Sequence, residues 1–239
     1  MKKIYSMANL YLIPITLGES ELNTVIPENH KEVIHSISHF VVENIRTARR
    51  FLKKVDQTID IDSLHFYELN KHTNKNQLHT YLEPIVQGLH VGVMSEAGCP
   101  GVADPGADVV RIAHDKGIRV IPLVGPSSIL LAMMSSGMNG QNFAFNGYLP
   151  INKNEKIKQI KYLENRIFTE NQSQLFIEAP YRNQPLLDDL LTNCHPQTKL
   201  CIACDITLET EFIKTMSVRE WRKNKPDIQK RPAIFILGK

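Results

Sequence analysis

"MSEAGCPGVADPG", residues 94–106, sets three glycines and two prolines in thirteen positions. The apolar run His90-Val91-Gly92-Val93-Met94 leads into it, and Ala107 to His114 leads out. The run reads as a strand, and residues 107–116, stopped by Gly117, read as a helix. A further strand from Ile118 to Val124 completes a strand, crossover helix, strand unit, the signature of a parallel sheet. Ligands of such sheets bind beyond the carboxyl ends of the strands, where this loop lies. Glycine admits a ligand close to the backbone, and proline lowers the entropy lost on binding. A stiff structural turn and a binding loop both satisfy these residues. The loop is neither G-x-G-x-x-G nor G-x-x-x-x-G-K-[ST] and carries no lysine, so neither a dinucleotide nor a nucleoside triphosphate is specified.

Further out, Gly125-Pro126-Ser127-Ser128 opens an apolar helix from Ile129 to Ser136 that Gly137 closes. Serine at the start and glycine at the stop match the preferences of helix ends, and the start suits a small carboxylate. Leu10 to Pro14 reads as a first strand, Val33 to Val42 contains a second, and Thr47 to Lys54 reads as a helix. Asn76 to Gln87 suits a helix that Pro84 kinks. Beyond Pro150 the spacing predicts a helix over 153–166, then strands over Gln174–Glu178, Lys199–Cys204 and Ala233–Leu237. The first β-α-β layer is complete near Leu123, which divides the chain into domains 1–123 and 124–239.

Composition bounds the class. The 239 residues are 42% apolar and 22% charged, as in a globular protein with a real core. The net charge is only +3, but basic residues concentrate over 153–166 and 214–231, as phosphate-contacting surfaces or as solvated helix faces. No apolar run approaches the roughly 20 residues that span a bilayer, and Met1-Lys2-Lys3-Ile4-Tyr5 has no apolar signal region. Four cysteines in a chain this long form no secreted disulfide framework. The expected location is the cytoplasm, with no membrane partner. Cys201-Ile202-Ala203-Cys204 is a C-x-x-C, but odd spacing in a strand puts the two thiols on opposite faces, against a disulfide or a shared metal. His35 and His39 lack a third ligand. Neither H-E-x-x-H nor G-x-S-x-G occurs, which argues against a zinc protease or an α/β-hydrolase.

Four ordered motifs go further than any one alone. "VMSEAGCPGVADPG", "VIPLVGPSS", "FNGYLP" and "IEAPYR" closely resemble the ribosomal RNA small subunit methyltransferase I family, within the tetrapyrrole methylase superfamily. Its pattern runs near S-D-A-G-T-P-x-I-S-D-P-G, P-x-P-G-P-S, F-x-G-F-L-P and Y-E-S-P-H-R. The resemblance implies two α/β domains with a cofactor cleft between them, a homodimer, and S-adenosyl-L-methionine as cofactor. It also implies that the cofactor touches Pro14, Ala97, Cys99, Val102, Ser127 and Ser128, then Glu178 or its neighbour Ala179, and Ile206 in "CDITLE". The chain departs from the pattern in four places. Ile13-Pro14-Ile15-Thr16-Leu17-Gly18 stands for T-P-I-G-N, Glu43-Asn44-Ile45-Arg46 for E-D-T-R, Cys99 for threonine and Asp205 for glutamate.

The implied reaction is methyl transfer to small-subunit ribosomal RNA at a ribose oxygen, with ribosomal RNA or the small ribosomal subunit as partner. A ribose hydroxyl benefits from a base or hydrogen-bonding carboxylate. Glu43 is the candidate, with Arg46 and Arg182 as phosphate or substrate clamps; each also reads as a member of a structural ion pair. The alternatives are a methyltransferase for a small molecule such as a tetrapyrrole, and a non-catalytic RNA-binding protein that keeps the fold. The lysines at 153, 156, 158 and 161 are the expected phosphate contacts.

Overall fold

The computed structural model describes residues 8–70 and 72–239, so Met1 to Tyr5 lie outside the described residues. The chain divides into two compact units, Met1–Pro126 and Ser127–Lys239.

In the first unit, strands β1 (Leu10–Leu12), β2 (Ile37–Val42), β3 (His65–Glu68), β4 (His90–Met94) and β5 (Val120–Pro122) form a sheet in the order β3-β2-β4-β1-β5. Every pairing is parallel. Helices α1 (Leu22–Val25), α2 (His30–His35) and α3 (Ile45–Val55) follow β1 and β2, and α4 (Glu83–Val86) and α5 (Gly106–Asp115) flank β4. One face of the sheet packs Leu10, Val41, Val91 and Val93 against Leu82, Ile85, Val109 and Ala113. The other packs Ile13, Phe40 and Val42 against Ile34, Ala48, Phe51 and Leu52. Helices thus cover both faces, as a parallel sheet requires. Gly92 permits this packing, because a Cβ there would lie 2.7 Å from Ile13 Cδ1 and 3.0 Å from Phe40 Cδ1.

From β1 the chain crosses one face to β2, and from β4 it crosses the other to β5. The two central strands therefore send their connections in opposite directions, and the crevice beyond their carboxyl ends is a topological switch point.

In the second unit, β6 (Phe143–Tyr148), β7 (Ser173–Ile177), β8 (Lys199–Cys204), β9 (Phe212–Ser217) and β10 (Ala233–Gly238) form a mixed sheet ordered β6-β7-β10-β8-β9. Only β6 and β7 pair in parallel. Helices α7 (Lys153–Glu170), α8 (Asn183–Asn193) and α9 (Val218–Lys223) bury one face against Phe176, Ile202 and Phe235. Helix α6 (Ser128–Ser136) packs on β8, β9 and β10.

Several expectations need correction. Residues 76–87 are not one kinked helix: a 3₁₀ turn over Lys75–Leu82 gives way to α4, with Pro84 in its first turn, where proline costs no hydrogen bond. The 153–166 helix runs on to Glu170, where Asn171 at φ 51° ends it. His35 closes α2 whereas His39 lies in β2, so the two share no helical face. The C-x-x-C does lie in a strand: Cys204 joins the core with Leu200 and Ile202, and Cys201 takes the other alternation. Burial pushes the Cys204 thiol up to about 11.

Candidate functional site

Every candidate residue of the first unit lies just past the carboxyl end of a parallel strand. Pro14 follows β1, Glu43 and Arg46 follow β2, and Ala97, Cys99 and Val102 follow β4. The loops after β1 and β4 are tied at the switch point by Ile15 N–H donating to Gly98 O at 3.0 Å. Three residues of the β4 loop turn through the left-handed region, Gly98 (φ 71°), Gly101 (φ 83°) and Ala103 (φ 61°). Asp104 holds that path, accepting from Gly101 N at 2.7 Å and Gly106 N at 2.6 Å. This aspartate went unread in the sequence, although Asp two residues ahead of a backbone N–H is a known turn former.

Packing against the loop is close. A Cβ on Gly125 would lie 2.2 Å from Pro14 Cγ. Pro14 is buried while Ala97 and Val102 are exposed. The Cys99 thiol, pushed up by burial, lies 3.4 Å from Pro126 O. A threonine hydroxyl would make the same donation, so the cysteine retains the donor that the family pattern supplies.

Glu43 is half-buried at the end of β2, and Oε1 accepts from Glu96 N at 3.3 Å. Burial raises its carboxyl pKa, and the carboxylates of Asp104 and Glu96 add to the rise. Burial likewise lifts Asp104. Arg46 is exposed and, among the described residues, makes no ion pair with Glu43. Asn44, where the pattern has aspartate, caps α3 by accepting from Arg46 N at 2.9 Å, a role either residue fills.

The second unit has its own edge. Because β6, β7 and β8 run the same way, Tyr148, which ends β6, lies on the same side of the sheet as Glu178 and Ile206, which follow β7 and β8. The C-terminal end of α6 lies at the other side, where Thr215 Oγ1 donates to Ser136 O at 2.8 Å, so its N-terminus is directed toward this edge. Ser127 Oγ caps α6, accepting from Leu130 N at 3.4 Å, which of the two serines Ser127 and Ser128 leaves Ser128 with the uncommitted side chain.

Glu178, with its side chain 1% exposed, accepts from Arg182 Nη2 at 2.6 Å and from Ala179 N at 2.8 Å through the same oxygen. That carboxylate raises the Arg182 pKa further. Ile206 is buried between two strained residues, Asp205 (φ 50°) and Thr207 (φ 73°). A β-branched residue in that region is a true outlier, and such outliers cluster at functional sites. Asp205 Oδ2 accepts from Arg231 Nε at 2.7 Å and Thr210 Oγ1 at 2.9 Å.

The second oxygen of Glu178 and the Thr207 hydroxyl are buried without a partner among the described residues. Buried polar atoms of this kind call for a ligand or water. No group of three or more His, Cys, Asp or Glu among the described residues can hold a metal ion.

The basic segments divide. Lys153, Lys158 and Lys161 on α7 are exposed, but Lys156 is 11% exposed and paired with Asp189 at 3.1 Å. Lys156 therefore holds α7 to α8 and does not belong with the phosphate contacts. Lys225 pairs with Asp188 and Arg231 with Asp205.

No family model matches the chain. It is 26% identical over 88% of its length to "Ribosomal RNA small subunit methyltransferase I" of Vibrio cholerae, covering 69% of that protein. It is 30% identical over 74% of its length to the protein of the same name from Bacillus subtilis, covering 56% of it. Among solved structures, the methyltransferase CobJ matches with a TM-score of 0.64 at 14% identity, covering 97% of this chain and 94% of that one. Uroporphyrin-III C-methyl transferase from Thermus thermophilus, complexed with S-adenyl homocysteine, matches with a TM-score of 0.57 at 14% identity, covering 97% and 98%. The chain thus has the two-domain α/β fold of the tetrapyrrole methylases. No helix among the described residues is long and apolar enough to cross a membrane.

Proposed function

We propose that the chain, a member of the ribosomal RNA small subunit methyltransferase I family, is an S-adenosyl-L-methionine-dependent methyltransferase acting on small-subunit ribosomal RNA. The observation that supports this reading is that residues named by the resemblance, Pro14, Ala97, Cys99 and Val102, lie in the two loops that Ile15 and Gly98 join at the β1/β4 switch point. Ser128, Glu178, Ala179 and Ile206, on the sheet edge of the second unit, complete the proposed cofactor contacts, with Ser127 acting through its cap. The carboxylates Glu43, Glu96 and Asp104 near the first edge suit a cationic ligand.

When bound, the cofactor supplies a methyl group activated by its sulfonium charge. The protein's part is alignment, exclusion of water and proton transfer. Glu43 is the proposed base: its raised proton affinity lets the carboxylate take the proton of a ribose hydroxyl as the oxygen gains the methyl group. Arg46, unpaired among the described residues, and Arg182, held by Glu178, are the proposed clamps on phosphate. The exposed Leu130 and Met134, one helical turn apart on α6, support a homodimer. An acceptor in ribosomal RNA places the enzyme in the cytoplasm. Mass spectrometry of ribosomal RNA with and without the chain tests the reading: one additional ribose methylation is expected, and identical modification profiles would refute it.

A further inference from the structure

Two tyrosines stand exposed where β6 and β7 end. Tyr148 is 61% and Tyr181 60% exposed, and Tyr148 pairs in register with Ile177, one residue before Glu178. Beside Tyr181 lies Arg182. Its guanidinium carbon sits 5.2 Å from the centroid of the Tyr181 ring, and the Tyr148 phenol is near enough to interact with it electrostatically. Glu178 fixes the arginine from beneath at 2.6 Å, leaving its side chain 30% exposed. Across from Tyr181, Lys230 donates its backbone N–H to Pro180 O at 3.0 Å while its side chain is exposed. The strap that carries Lys230 is pinned by Asn183 Nδ2 to Arg231 O at 2.5 Å and by Ile228 N to Gln184 Oε1 at 3.0 Å. Within the strap Lys225 and Arg231 have acidic partners, whereas Lys230 has none among the described residues.

We propose that Tyr148, Tyr181, Arg182 and Lys230 form a platform for an unpaired nucleotide of the RNA acceptor. The inference rests on the RNA reading above and extends it from charge to a defined surface. Two aromatic rings beside a guanidinium plane offer stacking to a base without reading its sequence. Arg182 and Lys230 offer the charge that the adjoining phosphate needs. Arg182 is pre-organised, because its carboxylate anchor is buried and its ring neighbour lies over it, so little order remains to be created on binding. A duplex cannot use this surface, since its bases are already stacked. The platform therefore selects single-stranded or looped RNA.

The test is fluorescence anisotropy with a labelled single-stranded RNA decamer of mixed sequence, alongside an RNA duplex of the same length. Tyr181→Ala and Tyr148→Ala should each weaken decamer binding by about 5-fold to 100-fold, as loss of a base–aromatic stack does. Tyr181→Phe should bind like the parent, because the ring and not the hydroxyl makes the stack. Lys230→Gln should lower the slope of log affinity against log salt by about 0.7, whereas the tyrosine variants should leave it unchanged. Melting temperature and calorimetric S-adenosylmethionine binding check that the variants are folded. Decamer binding by both alanine variants within twofold of the parent would overturn the platform, as would a Tyr181→Phe loss equal to that of Tyr181→Ala. Ribosomal RNA methylation by the parent separates the two readings. A parent that methylates while its tyrosine variants bind normally refutes the platform alone. A parent that binds the decamer through its tyrosines but transfers no methyl group refutes the proposed function alone.

Discussion

The two units build their candidate edges from opposite materials. In the first, Gly98, Gly101 and Ala103 turn through the left-handed region, Gly98 and Gly125 sit where a side chain would crowd its neighbours, and the nearby charges are carboxylates. In the second, ion pairs anchored on buried carboxylates, Glu178 with Arg182 and Asp205 with Arg231, set the shape, and the outward charge is cationic. A surface made of main chain is broken by adding atoms, and one made of ion pairs by removing them. That difference orders the expected effects of substitution.

Adding atoms to the first edge gives the largest effect. Ala97→Leu puts a branched side chain into the loop and should abolish calorimetric cofactor binding while leaving the melting temperature near that of the parent; normal binding would place the cofactor elsewhere. Gly125→Ala forces a Cβ to within 2.2 Å of the rigid Pro14 ring. It should cost about 1–3 kcal/mol of stability as well as cofactor affinity, read by thermal melting and titration.

Glu43→Gln removes the proposed base and should lower turnover by roughly 10²–10⁴-fold. Its effect on stability has the opposite sign. Burial raises the Glu43 pKa in the folded chain, so the folded state binds the proton more tightly than the unfolded one. The contribution of this group is fully present below the unfolded pKa and is lost as pH rises through the folded pKa. The glutamine variant should therefore melt higher than the parent at pH 8 and close to it at pH 4. A parent curve with no such difference would show that Glu43 is not buried as described.

Removing atoms from the second edge should be milder. Glu178→Ala strips Arg182 of its anchor, and with Arg182 partly exposed the loss should be about 1–2 kcal/mol, seen as a lower melting temperature. The lysines of α7 sharpen the contrast further. Lys156→Gln should cost stability, by about 1 kcal/mol, and leave RNA affinity unchanged, because Lys156 is paired with Asp189. Lys158→Gln and Lys161→Gln should do the reverse, each reducing the salt slope of RNA binding by about 0.7–0.9. If Lys156→Gln weakens RNA binding as much as the others, the pair is not maintained in solution.

Legibility in the sequence follows the same physics. Central strands buried on both faces read as clean apolar runs, and β4 and β8 were bounded in full at 90–94 and 199–204. Helix α6 was equally plain, because Ser127 and Gly137 mark its ends. The strands that escaped notice, β3, β6 and β9, all lie at sheet edges. There one side is unpaired, exposed residues interrupt the apolar pattern, and β6 also carries an irregularity between Phe145 and Tyr148. Pro185 hid α8, although proline is tolerated in a first turn. Local chemistry in the loops was readable, whereas long-range pairs were not. Nothing in the order of residues says that Lys156 meets Asp189, or that Asp205 meets Arg231.

The most direct measurement is calorimetric titration of the purified chain with S-adenosyl-L-methionine, without added metal, using Ala97→Leu as control. Saturable binding by the parent, lost in the variant, is the expected result. No heat and no thermal shift at millimolar cofactor, or equal binding by both proteins, would contradict a cofactor site at the β1/β4 switch point.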